Sequence, residues 1–297
     1  MTNLLYRTFF ANKSQDDVTI AGMAHHMALM TLNKYFKYYK PHKVIMCFDR
    51  PSWRKEYTKS DECVSGKLYK GHRRKKMSPS EKEKYEAFQD HIKEFEEIMR
   101  IHTSAIALAA DELEADDLIG GCVDVLTLDE NNEVIVVTAD KDMIQCLQSD
   151  QVQLVNPADG KHRTLDDWGG DAGLFMFEKC IRGDAGDNVQ SSLPRCKKTR
   201  ILKAYNDELE RANLMHETWT DPTGKEFVVK HLFKENELLM DLSKQPERIK
   251  KIIIKTILEG LNNPGSYSHF HFLKFLGKYE MKKVAEQLEQ FVPMLSR

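Results

Sequence analysis

Two hydrophobic periods alternate along the first half of the chain. Val18 to Lys40 carries Met23, Met27, Met30 and Leu32 near one face of a 3.6-residue turn, which predicts an amphipathic helix, and Val44 to Phe48 predicts a strand behind it. The helical signal returns from Ser80 to Met99, where Tyr85, Phe88, Ile92, Phe95 and Met99 recur in a Glu- and Lys-rich background behind the start signal Ser78-Pro79. Val134 to Val137 has the pattern of a strand buried on both faces. Strands alternating with helices to about residue 156 predict an α/β fold with a mainly parallel central sheet flanked by helices. From about Leu174 the pattern turns helical, with Ile252 to Leu261 and Met281 to Leu295 as further helices, the last ending before Pro293. Asn206 to Lys225 is polar and contains Asp221, Pro222, Thr223 and Gly224, so it reads as a loop or insertion.

The chemistry sits at the ends of these elements. Asp49 closes VIMCFD; Glu114, Asp116 and Asp117 lie in ELEADDLIGG; Asp140 and Asp142 follow VIVV in VIVVTADKDM; Asp184 and Asp187 lie in RGDAGDNV. Ionised side chains gathered at the mouth of a hydrophobic sheet repel one another and lose hydration, so cations must neutralise them. Oxygen-only ligation suits Mg²⁺ or Mn²⁺, and two such ions can clamp the attacking and leaving oxygens of a phosphodiester cleavage. Glu114 and Asp117 are three apart and, with Asp116, project from about one helical turn. Asp140 and Asp142 are two apart, so an extended chain aims both to one side. Any one cluster alone reads equally well as a solvated helix start or turn; four in succession favour a metal site.

Composition changes the picture little. The 297 residues, 41% apolar, allow one large domain or a domain with an appendage. A net charge of −2 argues against a uniformly basic nucleic-acid binder, yet Arg50, Arg54, Lys55, Lys59, Lys67, Lys70, Arg73, Arg74, Lys75 and Lys76 crowd one stretch. A basic strip beside an acidic site is what holding a polyanion over cations requires. Cys47, Cys63, Cys122, Cys146, Cys180 and Cys196 show no CxxC spacing and read as reduced thiols of a cytosolic protein. No stretch approaches the ~18 apolar residues of a membrane span, and no signal peptide is visible. His25, His26, His269 and His271 have no further ligands nearby and read as packing or surface residues; His269 to Phe272 predicts a short strand or a helix start.

The order of an Asp after a strand, then YKGHR, EADD, TADKD and GDAGDN, resembles the metal-dependent 5′-nucleases, which include flap endonucleases and the phage enzymes called ribonuclease H. The similarity covers most of the chain: NLLYRTFF resembles the segment after the family's first strand, and KENELLMDLSKQPERI resembles a late helical segment of the phage ribonuclease H branch. The resemblance implies a PIN-like catalytic domain over residues 1–173, with a strand-threading helical arch at 57–84, and a helical DNA-binding region over 174–297. It implies that Asp49, Glu114, Asp116, Asp117 and Asp140 hold a first metal ion and Asp142, Asp184 and Asp187 a second, the ions being Mg²⁺ or Mn²⁺. Lys70 and Arg73 match the catalytic basic pair at the scissile phosphate; Arg54, Tyr69, Lys197, Lys198 and Thr199 complete the expected nucleic-acid contacts.

The implied activity is a structure-selective 5′-nuclease, a 5′-3′ exonuclease or flap endonuclease with ribonuclease H activity in prospect, that removes RNA primers or 5′ flaps in phage DNA replication. It would work as a monomer in the cytoplasm of an infected bacterium, on DNA and RNA–DNA duplexes, with a single-strand-binding protein or sliding clamp as a partner. The rival expectation is a catalytically weak nucleic-acid-binding protein that keeps the fold. Two departures from the family pattern stand out. The chain starts at Met1 with neither the family's opening strand nor its Asp, so an upstream strand is expected. After Asn188 the glycines of the usual helix-hairpin-helix turn are replaced by the run Val189 to Thr199, which leaves Lys197 and Lys198 as phosphate contacts but no turn suited to a monovalent cation.

Overall fold

The computed structural model describes residues 1–11, 16–72 and 78–297. The chain forms two compact units, each discontinuous in sequence: Met1–Arg50 with Met77–Leu118 and Ile252–Arg297, and Pro51–Lys76 with Ile119–Lys251. These units cut across the linear division at residue 173, because the C-terminal segment shares its core with the N-terminal helices.

In the first unit, strands β1 (Ile45–Cys47) and β2 (Ile106–Leu108) pair in parallel, with Ile45 opposite Ile106. Helices Thr2–Ala11, Asp17–Tyr39, Pro79–Ile101 and His269–Lys278 supply the core, in which Leu5, Phe9, Phe88, Phe95, Phe272 and Phe275 are buried. Pro79–Ile101 opens as its sequence predicts: the Ser78 hydroxyl accepts from the Glu81 N–H and the Glu81 carboxylate accepts from the Ser78 N–H, with Pro79 in the first turn. The helix Asp17–Tyr39 agrees in extent with the prediction but buries a different face. Met27 and Met30 are exposed, while Ile20, Ala21, Ala24, Ala28 and Leu29 are fully buried. Small side chains on that face let neighbouring backbone close in; a Cβ on Gly22 would stand 2.5 Å from the Tyr279 carbonyl oxygen. The helix expected over Met281 to Leu295 is broken into Lys282–Glu286, a turn at Leu288–Gln290 and Val292–Ser296, and Pro293 lies inside the last piece, in the first turn where its missing N–H costs nothing.

In the second unit, β3 (Val134–Val137) pairs in parallel with β4 (Val152–Val155), which pairs antiparallel with β5 (His162–Arg163). Strands β6 (Thr218–Thr220) and β7 (Glu226–Val228) form a hairpin. Among the described residues the strands make sheets of two, three and two strands, with the β1–β2 and β3–β4 pairs parallel, within a mixed α/β and mostly helical fold. Of β3 only Val136 is buried, so its apolar run is not covered on both faces. The segment expected to be a loop holds the helix Glu208–His216, capped by Asp207, and β6; only Asp221 to Gly224 is a turn. Its amphipathic signal is faint because Leu214 is the one fully buried residue of that helix while Leu209 is exposed. All six cysteines are free and all but Cys63 are buried. Among the described residues no helix is long and apolar enough to cross a membrane.

Candidate active site

In the first unit, hydrogen bonds carry the β1–β2 pairing beyond the strand ends. The Phe48 N–H donates to the Leu108 carbonyl and the Arg50 N–H to the Leu113 carbonyl, both at 2.9 Å. Asp49 is thereby held where strand β1 meets the start of the helix Ala115–Leu126. Its Oδ1 accepts from the Ala115 N–H at 2.9 Å, and its own N–H donates to the Thr2 hydroxyl at 3.0 Å. The first amides of a helix lack intrahelical partners, so a carboxylate there is favoured by hydrogen bonding and by the helix dipole. Asp117 folds back in the same way, its Oδ2 accepting from the Glu114 N–H at 2.9 Å, and it is buried. Glu114 and Asp116 lie half-buried in that turn. The three acids of EADD thus share one helix start, as their spacing predicts, and Asp49 meets it through the Ala115 N–H.

In the second unit the TADKD and GDAGDN acids are joined by a residue that sequence reasoning missed. Asp140 caps the helical turn Lys141–Cys146, its Oδ1 accepting from the Asp142 N–H at 2.9 Å. Asp142 Oδ1 then accepts from the Lys179 ammonium at 2.5 Å, and the same ammonium donates to Asp184 Oδ2 at 3.0 Å. Burial works against the Lys179 charge, but the two carboxylates outweigh it and hold its pKa above the usual lysine value. Burial likewise pushes Asp142 up, and Lys179 only partly offsets this; for Asp184, Lys179 and the loop amides outweigh burial and bring it down. The available signal was position: Lys179 lies in the last turn of the helix Ala172–Arg182, where a cation is favoured, five residues before Asp184.

The hairpin carrying Asp184 and Asp187 is tightly determined. Gly183 has φ 68°, and a Cβ there would stand 2.7 Å from the Gln190 backbone. Asp184 Oδ1 accepts from the Gly186 and Asp187 N–H groups, and the Asp184 and Val189 backbones pair across the loop. Asp187 meets the YKG segment: its Oδ2 accepts from the Tyr69 hydroxyl at 2.7 Å and lies 3.4 Å from Lys70 Nζ, while its carbonyl accepts from the Lys70 N–H at 2.8 Å. Lys70 holds a left-handed conformation at φ 53°, an uncommon one for a side-chain-bearing residue.

The expected nucleic-acid contacts divide. Arg54 is buried, donates to the Leu239 carbonyl at 2.6 Å and lies over the Trp53 ring, so it is a packing residue and not a phosphate contact. Tyr69 is also buried and spends its hydroxyl on Asp187, which makes it a support for that acid and not a surface contact. Arg50, from the basic strip, is engaged by both oxygens of Glu96 at 2.8 and 2.7 Å. Lys197, Lys198 and Thr199 are exposed at the start of the helix Lys198–Asn206, where Lys198 Nζ reaches the Asp167 carbonyl at 3.0 Å. Arg73, with Arg74, Lys75 and Lys76, lies outside the described residues. Of the expected arch over 57–84, Tyr57 ends the helix Trp53–Tyr57, residues 58–72 are turns and loop, and 79–84 open the helix Pro79–Ile101; 73–77 lie outside the described residues.

Among the described residues no three His, Cys, Asp or Glu side chains are gathered closely enough to enclose an ion. The donor chemistry still fits a hard divalent cation. Oxygen acids surround the helix start in the first unit, and in the second a lysine ammonium supplies the positive charge that Asp142 and Asp184 require.

The model of the family described as 5′-3′ exonuclease, N-terminal resolvase-like domain, matches residues 1–169. Solved structures share the fold at low identity. The bacteriophage T5 5′-exonuclease with zinc ions bound aligns with TM-score 0.63 and 20% identity, covering 87% of this chain and 96% of that one. The bacteriophage T5 flap endonuclease in a pseudo-enzyme-product complex with DNA and metal ions aligns with TM-score 0.62 and 19% identity over the same shares. No curated protein sequence matches. With more than half of its length matched by the family model, the chain belongs to the 5′-3′ exonuclease family with an N-terminal resolvase-like domain.

Proposed function

We propose that this protein is a divalent-metal-dependent, structure-selective 5′-nuclease that hydrolyses phosphodiester bonds at 5′ ends and 5′ flaps, and that it removes RNA primers or flaps in phage DNA replication. The observation that carries the reading is the position of the acids: Asp49 follows β1, and Asp140 with Asp142 follows β3, the carboxyl ends of the two parallel strand pairs. Ligands of α/β folds collect at such strand ends. The T5 relatives bind metal ions, and one of them binds DNA, which supports the same for this chain.

Asp49, Glu114, Asp116, Asp117, Asp140, Asp142, Asp184 and Asp187 are the carboxylates that would hold two Mg²⁺ or Mn²⁺ ions. When bound, such ions supply Lewis acidity and a water of lowered pKa. The chain's own residues do the rest. Lys70, steadied by Asp187, offers a fixed positive charge to a phosphoryl oxygen, useful because phosphoryl transfer asks mainly for positioning and electrostatics. Lys197, Lys198 and Thr199 present charge, hydroxyl and helix-start amides to duplex phosphates.

The second reading, a nucleic-acid-binding protein that cleaves weakly, is favoured by the Lys179 ammonium standing between Asp142 and Asp184. Incubating purified protein with a 5′-labelled flap duplex in Mg²⁺ and in EDTA separates the two. Release of a short 5′ product only with Mg²⁺ supports the nuclease, and tight binding without cleavage supports the weaker reading. Replacing the DNA flap with RNA tests the primer assignment.

A further inference from the structure

KENELLM, part of the segment that resembles the phage ribonuclease H branch, forms the second half of the helix Val229–Met240. Two adjacent residues in it are polar and buried, Glu235 at 3% and Asn236 at 0% exposure. Burying such groups is costly unless they are hydrogen-bonded, so the partners they do make show what they hold. Glu235 grips the backbone of the YKG approach: Oε1 accepts from the Ser65 N–H at 3.1 Å, and Oε2 accepts from the Val64 N–H. Lys225 takes the Val64 carbonyl at 2.9 Å, so this stretch of chain is held from both sides. A few residues on, the Tyr69 N–H donates to the Thr58 hydroxyl at 3.0 Å, and Lys70 takes its left-handed turn onto the Asp187 carbonyl.

The same helix holds the other acid-bearing segments. Asn236 Nδ2 donates to the Cys180 and Gln190 carbonyls, each at 2.8 Å, on either side of the Asp184–Asp187 hairpin. The Met240 carbonyl and Leu242 N–H take the two ends of the Gln145 amide at 3.3 and 2.9 Å, in the helical turn that begins beside Asp142. One helix thus meets, in order, the segments bearing Lys70, Asp184 with Asp187, and Asp142.

We propose that Glu235 is a positioning residue for Lys70: its carboxylate fixes the Val64–Ser65 backbone and through it the left-handed turn that aims the ammonium. This rests on the nuclease reading. A carboxylate is needed because both oxygens accept, whereas the amide group of a glutamine would turn an N–H donor toward a backbone N–H donor. Glu235→Gln is therefore nearly isosteric yet breaks the grip.

Two measurements judge it. Amide hydrogen exchange of Glu235→Gln, which needs no activity, should show faster exchange at Val64 and Ser65 and also at Lys70; acceleration confined to Val64 and Ser65 overturns the proposal. In single-turnover flap cleavage the variant should lose roughly tenfold to a hundredfold in rate with its DNA Kd within about twofold of wild type. In a Lys70→Ala background the same change should add little, because it acts through that ammonium. Full additivity, or a loss in Kd alone, overturns it. If Glu235→Gln does not fold, Lys225→Ala, at an exposed position, carries both measurements with a smaller effect of the same sign, and an unchanged Lys70 amide then refutes the latch. A wild-type protein that never cleaves counts against the nuclease reading instead and leaves the exchange result to decide the positioning role.

Discussion

Lys179 Nζ lies 2.5 Å from Asp142 Oδ1, so a lysine on the helix Ala172–Arg182 neutralises an acid at the end of the β3 segment. This places a built-in monocation where the family resemblance implies a divalent one. Lys179→Met should therefore lower the free energy of unfolding by about 1–3 kcal/mol without divalent ions, the figure reduced because a third of the Asp142 side chain is exposed. Added Mg²⁺ should stabilise the variant more than the wild type, since the uncompensated acids bind it better. Thermal unfolding with and without Mg²⁺ measures both, and equal Mg²⁺ shifts would show that Lys179 and the ion do not compete.

Gly183 turns the chain from the helix Ala172–Arg182 into the Asp184–Asp187 hairpin at φ 68° with no room for a Cβ. Gly183→Ala is expected to cost about 1–3 kcal/mol, from strain and from backbone that must shift. It should also depress cleavage more than Ala substitution at Gly160, where a Cβ meets nothing within 4 Å. Urea unfolding of Gly183→Ala checks the cost, and flap cleavage by the two variants checks the ranking.

Some of this was legible in the chain and some was not. The helix Pro79–Ile101 and the acids after β1 and β3 could be read because local signals decide them: a capping box, a helical stripe, a polar residue closing an apolar run. The roles of Arg54 and Tyr69 could not, because a cation or phenol in a basic stretch looks the same whether it faces solvent or is claimed by Leu239 or Asp187 far along the sequence. The buried face of Asp17–Tyr39 misled for a related reason: hydropathy favours methionine, whereas close helix packing selected Ala21, Ala24 and Ala28. The discontinuous units follow from packing of Ile252–Arg297 beside the N-terminal helices, which no local pattern records.

His25 gives the first unit a pH dependence. Its ring is enclosed by Phe95, Phe275 and Tyr279, Nε2 donates to the His91 carbonyl at 3.2 Å, and Nδ1 has no partner among the described residues. Burial, the largest influence, holds its pKa down to about 3, against 6.5 for an ordinary histidine. Between those values the unfolded chain takes up a proton that the folded chain refuses. Stability is therefore full above pH 6.5 and falls as the pH drops toward 3, by up to roughly 1.4 kcal/mol per pH unit. Urea midpoints from pH 8 to pH 4 should fall more steeply for the wild type than for His25→Leu; parallel curves would show that His25 does not titrate in this way.

The nuclease assignment is tested most directly at Asp140, whose Oδ1 caps the turn to Asp142. Asparagine caps as well as aspartate, so Asp140→Asn keeps the fold and removes only the negative charge that a metal ion would use. Single-turnover cleavage of a 5′-flap duplex at saturating Mg²⁺ should fall by roughly two to three orders of magnitude, while DNA affinity stays within a few-fold and the melting temperature is unchanged. Wild-type turnover by Asp140→Asn under those conditions would contradict the account.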